Sequence, residues 1–376
     1  MKSIFLNFSK KQLIAIIAMG LSAVVLCSCQ NKDADTLKSA SRSIEALEYQ
    51  EAIDLLVSQE ELLNDKEALR LQGIAHIGLG EYSQAVECLE KALHTSNGMV
   101  KKIDYDINYY LATAYFKSGN KDEALKIYEN ILSMNPKEVD ALYLSGILYA
   151  DKNNLELARE RFDNAIKLAP ENYEMLIRIY QILLDGGYKD IGNTYLNNAM
   201  SNATKKMTNY EKGQISFYLE DYESARTYLE KAKDEEGEAA VLFLGKTYET
   251  LGDISYAVSV YSSYANTAEG AGSAKILNQM GMCKMNMEDY QGALAAFQQG
   301  INIPDNPLLQ TLKINEIAAY EYMGDFSKAG ELAENYLRQY PDDERMKREF
   351  KFLKTRYIRE IPDSQNIATE NNEVVN

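Results

Sequence analysis

The sequence predicts an all-α protein built as a stack of similar helix pairs. Three observations predict it. One phrase recurs along the chain: GEYSQAVECLEKAL at Gly80–Leu93, GNKDEALKIYENIL at Gly119–Leu132, GDISYAVSVYSSY at Gly252–Tyr264 and GDFSKAGELAENYL at Gly324–Leu337. Within each phrase apolar residues fall three and four apart, as at Leu125, Tyr128, Ile131 and Leu132, which is the spacing of one helical face. Only 6 of 376 residues are proline, so little interrupts a helix.

The chain is 46% hydrophobic and 26% charged, the balance of a folded domain with a substantial core. Its formal net charge is −16. Acidity without a concentrated basic face argues against nucleic acid as a partner, because phosphate binding needs Lys and Arg.

The N-terminus is set apart from the fold. Lys2, Lys10 and Lys11 precede a charge-free run, Leu13 to Leu26. Its length falls short of the ~20 residues that span a bilayer. It reads as the core of a signal peptide. The run ends in Leu26-Cys27-Ser28-Cys29, which resembles the bacterial lipobox. That resemblance implies a signal peptide over 1–28, cleavage before Cys29, and a diacylglyceryl group on its sulfur. Residues 29–36 read as the lipidated cysteine and a short polar tether, which places the remainder outside the cytoplasm, anchored to the cell membrane.

From residue 37 the repeats begin. Aligned on one small position, nine copies are anchored at Ala52, Ala85, Ala124, Ala158, Gly192, Ala225, Ala257, Ala293 and Ala329. Four residues later stands a large apolar side chain in eight copies, from Leu56 and Leu89 to Phe297, with Ala333 the exception. Twelve residues before the anchor stands Gly or Ala, except for Tyr180 and Ile317. Gly80, Gly119, Gly187, Gly252 and Gly324 mark the turn inside the pair. Pro136, Pro170 and Pro341 close three copies. The anchors lie 32 to 39 residues apart, and the longest interval holds a surface loop around Thr95–Gly98.

This pattern resembles the tetratricopeptide repeat, a 34-residue helix–turn–helix unit. The resemblance covers 37–343 and implies a right-handed solenoid of about nine pairs. Each pair buries only part of its apolar surface, and the next pair covers the rest. Residues 344–360 follow as a capping helix, with Met346, Phe350, Leu353 and Tyr357 on one stripe and a basic remainder. Residues 361–376 are polar and read as a disordered tail.

Catalytic signals are missing. The sequence has two His, no HExxH, no GxSxG and no phosphate-binding loop. His76 stands where Tyr115, Tyr149, Tyr248 and Tyr320 stand in other copies, and reads as a packing residue. Cys88 and Cys283 lie several repeats apart and read as free thiols. The reading is therefore a non-enzyme, without cofactor, metal or small-molecule substrate.

What remains is a binding surface. In the family that the repeats resemble, certain positions of the first helix of each pair line a groove for peptides or partner proteins. Carried onto this chain, they give Tyr109, Tyr143, Ile147 and Ile177 in its first half. In the second half they give Tyr210, Gln214, Phe217, Leu242, Lys246, Asn278 and Tyr322. Asp106, Asp140 and Glu174 make the first half acidic, and Lys246 and Lys275 make the second more basic. The function expected is a lipid-anchored scaffold or assembly factor of the cell envelope. The alternative is a binding subunit for a secreted peptide or polymer that serves an envelope enzyme or transporter.

Overall fold

The computed structural model describes residues 32–95, 101–268 and 270–357. The signal peptide, Cys29, most of the loop after Thr95 and the C-terminal tail lie outside them. Among the described residues there are nineteen α-helices and no strand. They form nine helix pairs, each with a first helix A and a second helix B, and one further helix.

Two units follow from the packing, Met1–Ala199 and Met200–Asn376. The first contains α1 (Lys32–Glu45), α2 (Tyr49–Val57), α3 (Lys66–Leu79), α4 (Tyr82–His94) and α5 (Lys102–Lys117). It continues with α6 (Lys121–Met134), α7 (Val139–Asp151), α8 (Leu155–Leu168), α9 (Tyr173–Asp185) and α10 (Lys189–Ser201), whose last turn crosses the boundary. The second contains α11 (Asn209–Tyr218), α12 (Tyr222–Ala232), α13 (Gly237–Thr250), α14 (Ile254–Ala265) and α15 (Ala274–Asn286). It ends with α16 (Tyr290–Ile301), α17 (Leu309–Tyr322), α18 (Phe326–Gln339) and α19 (Glu344–Tyr357). The first helix begins at Lys32, so the last part of the segment read as a tether is helical.

The turn inside each pair has a backbone requirement that the repeated phrase meets. Five residues before every anchor, φ is positive: Leu47, Gly80, Gly119, Asn153, Gly187, Glu220, Gly252, Glu288 and Gly324. Five copies use glycine, which enters this region without a steric penalty. The next residue caps helix B. Asp253, Asp289 and Asp325 each accept a hydrogen bond from the backbone N–H three residues on, which satisfies a donor that the helix leaves free. The Gly-Asp dipeptide is thus a stop for one helix and a start for the next.

Within a pair, helix A and helix B meet where the small position faces the large one. A β-carbon on Gly73 would lie 2.5 Å from Leu89 Cγ, and one on Gly146 would lie 2.6 Å from Phe162 Cε1. Gly213 and Leu229, Gly245 and Tyr261, and Gly281 and Phe297 make the same contact. These large side chains are fully buried. Burial of each contributes about 2–3 kcal/mol, and close packing leaves no room for an added methyl group.

Two copies depart from this arrangement and compensate for it. In the fifth, Tyr180 occupies the small position, and the anchor has shrunk to Gly192, against which the ring lies. Tyr180 is 2% exposed. In the ninth, Ile317 replaces the small residue and Ala333 replaces the large one, both in one buried cluster. The apparent departures from the repeat are therefore complementary exchanges.

Successive pairs are pinned by a polar contact. Tyr115 on α5 donates its hydroxyl proton to Glu90 on α4 at 2.6 Å. Tyr149 on α7 does the same to Glu129 on α6 at 3.2 Å, and Tyr248 on α13 to Glu230 on α12 at 2.8 Å. All three tyrosines stand nine residues before an anchor, and all three glutamates five after one.

Candidate functional site

Neighbouring A helices touch one another: α1 with α3, α3 with α5, α7 with α9, α11 with α13, and α13 with α15. Side chains that project from this layer form the candidate binding surface.

In the first unit, Tyr109 of α5 and Tyr143 of α7 are partly buried against the central apolar cluster. Tyr109 tilts against Tyr128 of α6 with ring centroids 6.0 Å apart. Burial pushes the Tyr143 hydroxyl up to about 12. Ile147 and Ile177 are 3% and 5% exposed and belong to the core. The expected acidity is largely compensated. Asp106 pairs with the buried guanidinium of Arg70 at 3.1 Å, and Glu174 with Arg178 at 2.6 Å. The Arg70–Asp106 pair joins two successive A helices, whereas Glu174 and Arg178 lie one turn apart on α9.

In the second unit the structure gathers Tyr210, Gln214, Phe217 and Leu242. Gln214 Nε2 donates to Tyr210 Oη at 2.9 Å, one helical turn apart. Tyr210 and Phe217 both stand edge-to-face with Phe243, with centroids 6.1 Å and 5.6 Å away. Tyr218 and Tyr222 complete the group around Phe217 and Phe243. Edge-to-face arrangements of this kind are favourable beyond the area they bury. Phe243 and Tyr218 were not assigned to the surface from the sequence. Phe243 lies one residue beyond the aligned position of Leu242, and only the approach of α11 to α13 brings it to Tyr210.

The remaining residues are dispersed. Lys246 is exposed on α13. Asn278 of α15 accepts a hydrogen bond from Asn315 of α17 at 2.8 Å. Lys275 pairs with Glu238 at 3.3 Å. Tyr322 is 67% exposed and stacks on Tyr290 at the start of α16, at 5.5 Å, beside the turn between α17 and α18.

Among the described residues no group of three His, Cys, Asp or Glu side chains is placed to hold a metal ion. His76 Nδ1 lies 2.7 Å from Glu81, across the turn after α3. Cys88 and Cys283 are free, and burial raises both thiols above their ordinary range, which disfavours the nucleophilic thiolate. No described helix is long and apolar enough to cross a membrane.

Paired helices stacked on a shared register define a helical-repeat protein. Tetratricopeptide repeat family models match part of this array, one at residues 70–129 and 109–173 and another at residues 208–236 and 274–307. The chain is similar to the BBSome complex member BBS4 of Bos taurus, 23% identical over 283 residues, covering 73% of this chain and 53% of that protein. It is similar to the photosystem I assembly protein Ycf3 of Prochlorococcus marinus (strain NATL1A), 28% identical over 125 residues, covering 32% of this chain and 69% of that one. The chain therefore spans about half the length of the bovine relative. A tetratricopeptide repeat protein from Parabacteroides merdae superposes with a TM-score of 0.46 at 16% identity, over 68% of this chain and 98% of its own.

Proposed function

We propose that this protein is a lipid-anchored, extracytoplasmic scaffold or assembly factor of the bacterial cell envelope, which acts by binding a protein or an extended peptide. The observation that carries the reading is the half-buried aromatic group of Tyr210, Phe217 and Phe243 on the A-helix layer. Rigid aromatic side chains lose little rotamer freedom on binding and make effective anchors. Repeats of this kind present such layers to partners, and two relatives are named as a complex member and an assembly protein. The anchor is read from Leu26-Cys27-Ser28-Cys29 behind a charge-free run.

Crosslinking in native membranes, followed by mass spectrometry, identifies the partner. The reading requires that its capture fall when Tyr210→Ala is combined with Phe217→Ala while helix content is retained. Equal capture by the double variant overturns it. The anchor has its own test. Cys29→Ala should abolish labelling by a radioactive fatty acid, and persistence of label rejects that residue.

A further inference from the structure

We propose that the outward face of α19 is a docking surface for an anionic lipid bilayer. This goes beyond the scaffold reading and does not depend on it. The helix packs on α18 through Met346 and Leu353, with Phe350 beside them. The side turned away is different in kind. Arg345, Arg348, Phe352 and Arg356 follow one another at spacings of three and four, all exposed, and therefore lie along one stripe, whose last member also reaches over the Phe326 ring of α18, 5.8 Å from its centroid. Lys351, also exposed, flanks it, whereas Lys354 lies over the Phe350 ring at the packed edge, 4.3 Å from its centroid.

The helix holds six Lys or Arg against Glu344 and Glu349, in a chain whose net charge is −16. Glu344 is paired with Lys347 at 2.7 Å. Glu349 stands four residues after Arg345 and three before Phe352, at the edge of the stripe, and with burial its charge raises the carboxyl of Glu321 on α17 to about 7. With six cations against two acids, one of which is paired in the first turn, the helix stays net cationic.

Phe352 decides which anion fits. Its ring is 44% exposed, and the Arg356 guanidinium lies over it, 4.9 Å from the centroid. A soluble acidic polymer would satisfy the cations and leave this ring in water. A bilayer interface accepts both at once: phosphate headgroups meet Arg and Lys, and the ring enters the acyl boundary. Elsewhere the acidic chain is repelled by the same surface, which favours approach through α19.

The protein contains no tryptophan, so Phe352→Trp places a single reporter on the stripe. The full chain is reconstituted into phosphatidylcholine vesicles, with or without phosphatidylglycerol. With phosphatidylglycerol, emission should shift to the blue and brominated lipid should quench it several-fold more strongly. Addition of Arg348→Glu and Lys351→Glu, or of about 1 M salt, where the screening length is about 3 Å, should abolish both effects. Because both vesicles hold the same N-terminus, any anchor cancels from the comparison. Identical emission on the two vesicles overturns the proposal. A blue shift that instead grows with protein concentration in the absence of lipid overturns it in favour of a second copy, and one produced by a soluble acidic polymer alone overturns it in favour of that polymer.

Discussion

Tyr248 donates its hydroxyl proton to Glu230 across 2.8 Å, which ties the A helix of one repeat to the B helix of the repeat before. Lys233 approaches the same carboxylate at 2.7 Å. Tyr248 is 7% exposed, so removal of the acceptor would leave a buried hydroxyl without this partner. The same register recurs at Tyr115 with Glu90 and at Tyr149 with Glu129. In a repeat protein stability is shared between neighbours, so such a pin affects more than one pair.

Tyr248→Phe is expected to cost about 1–2 kcal/mol, since it removes a largely buried hydrogen bond to a charged group. Its effect should depend on pH. Burial pushes the Glu230 carboxyl up, but the hydrogen bonds from Lys233 and Tyr248 and the charge of Lys233 outweigh it, and the pKa ends below the ordinary value. A depressed folded pKa contributes stability above the unfolded pKa, near 4.3, and that stability is lost as pH falls through the folded value. The difference in melting temperature between Tyr248→Phe and wild type should therefore be largest near neutrality and shrink below about pH 4. A difference that is constant across this range means that the hydrogen bond is not coupled to the charge.

Glu288 stands at φ 60° in a turn where five other copies carry glycine. The left-handed region costs a non-glycine residue roughly 1–2 kcal/mol, and glycine loses part of that gain to its greater freedom in the unfolded chain. Glu288→Gly should raise stability by about 0.5–1 kcal/mol in urea titration. Gly252→Ala, at φ 86°, should lower it by about the same amount. Destabilisation by Glu288→Gly would show that the side chain contributes more than its backbone strain removes.

The exchange of sizes at Tyr180 and Gly192 predicts strong coupling. Gly192→Ala places a methyl group 2.7 Å from Tyr180 Cδ2 and should cost about 1–3 kcal/mol by overpacking. Tyr180→Ala opens a cavity and should cost about 3–5 kcal/mol. The two together should cost less than their sum, because the space left by the ring accommodates the new methyl group. Strict additivity in denaturant titrations would refute the pairing.

For the binding surface, Tyr210→Ala with Phe217→Ala should weaken partner capture by tenfold or more, about 1.4 kcal/mol. Circular dichroism should remain helical, with a melting temperature lowered by only a few degrees, since both rings are incompletely buried. Tyr143→Ala tests the first unit separately. If neither variant weakens capture, the A-helix layer is not the surface used.

Sequence alone determined the class of fold, because each pair repeats the same local instructions. A residue that tolerates the left-handed turn, an acid that caps the next helix, and a small residue opposite a large one are all read within some twenty positions. Repetition in phase made those weak signals decisive. Tertiary structure decided whatever depended on a neighbouring repeat. Ile147 and Ile177 shared the expected surface positions with Tyr109 and Tyr143, yet they are buried, because accessibility depends on what lies beside each helix. Phe243 joined the aromatic group, and Asp106 was paired by Arg70, through contacts between A helices far apart in sequence. The exchange at Tyr180 and Gly192 looked like a fault in the pattern and proved to be complementarity. Helix periodicity tells which face a side chain occupies, whereas only packing tells what that face meets.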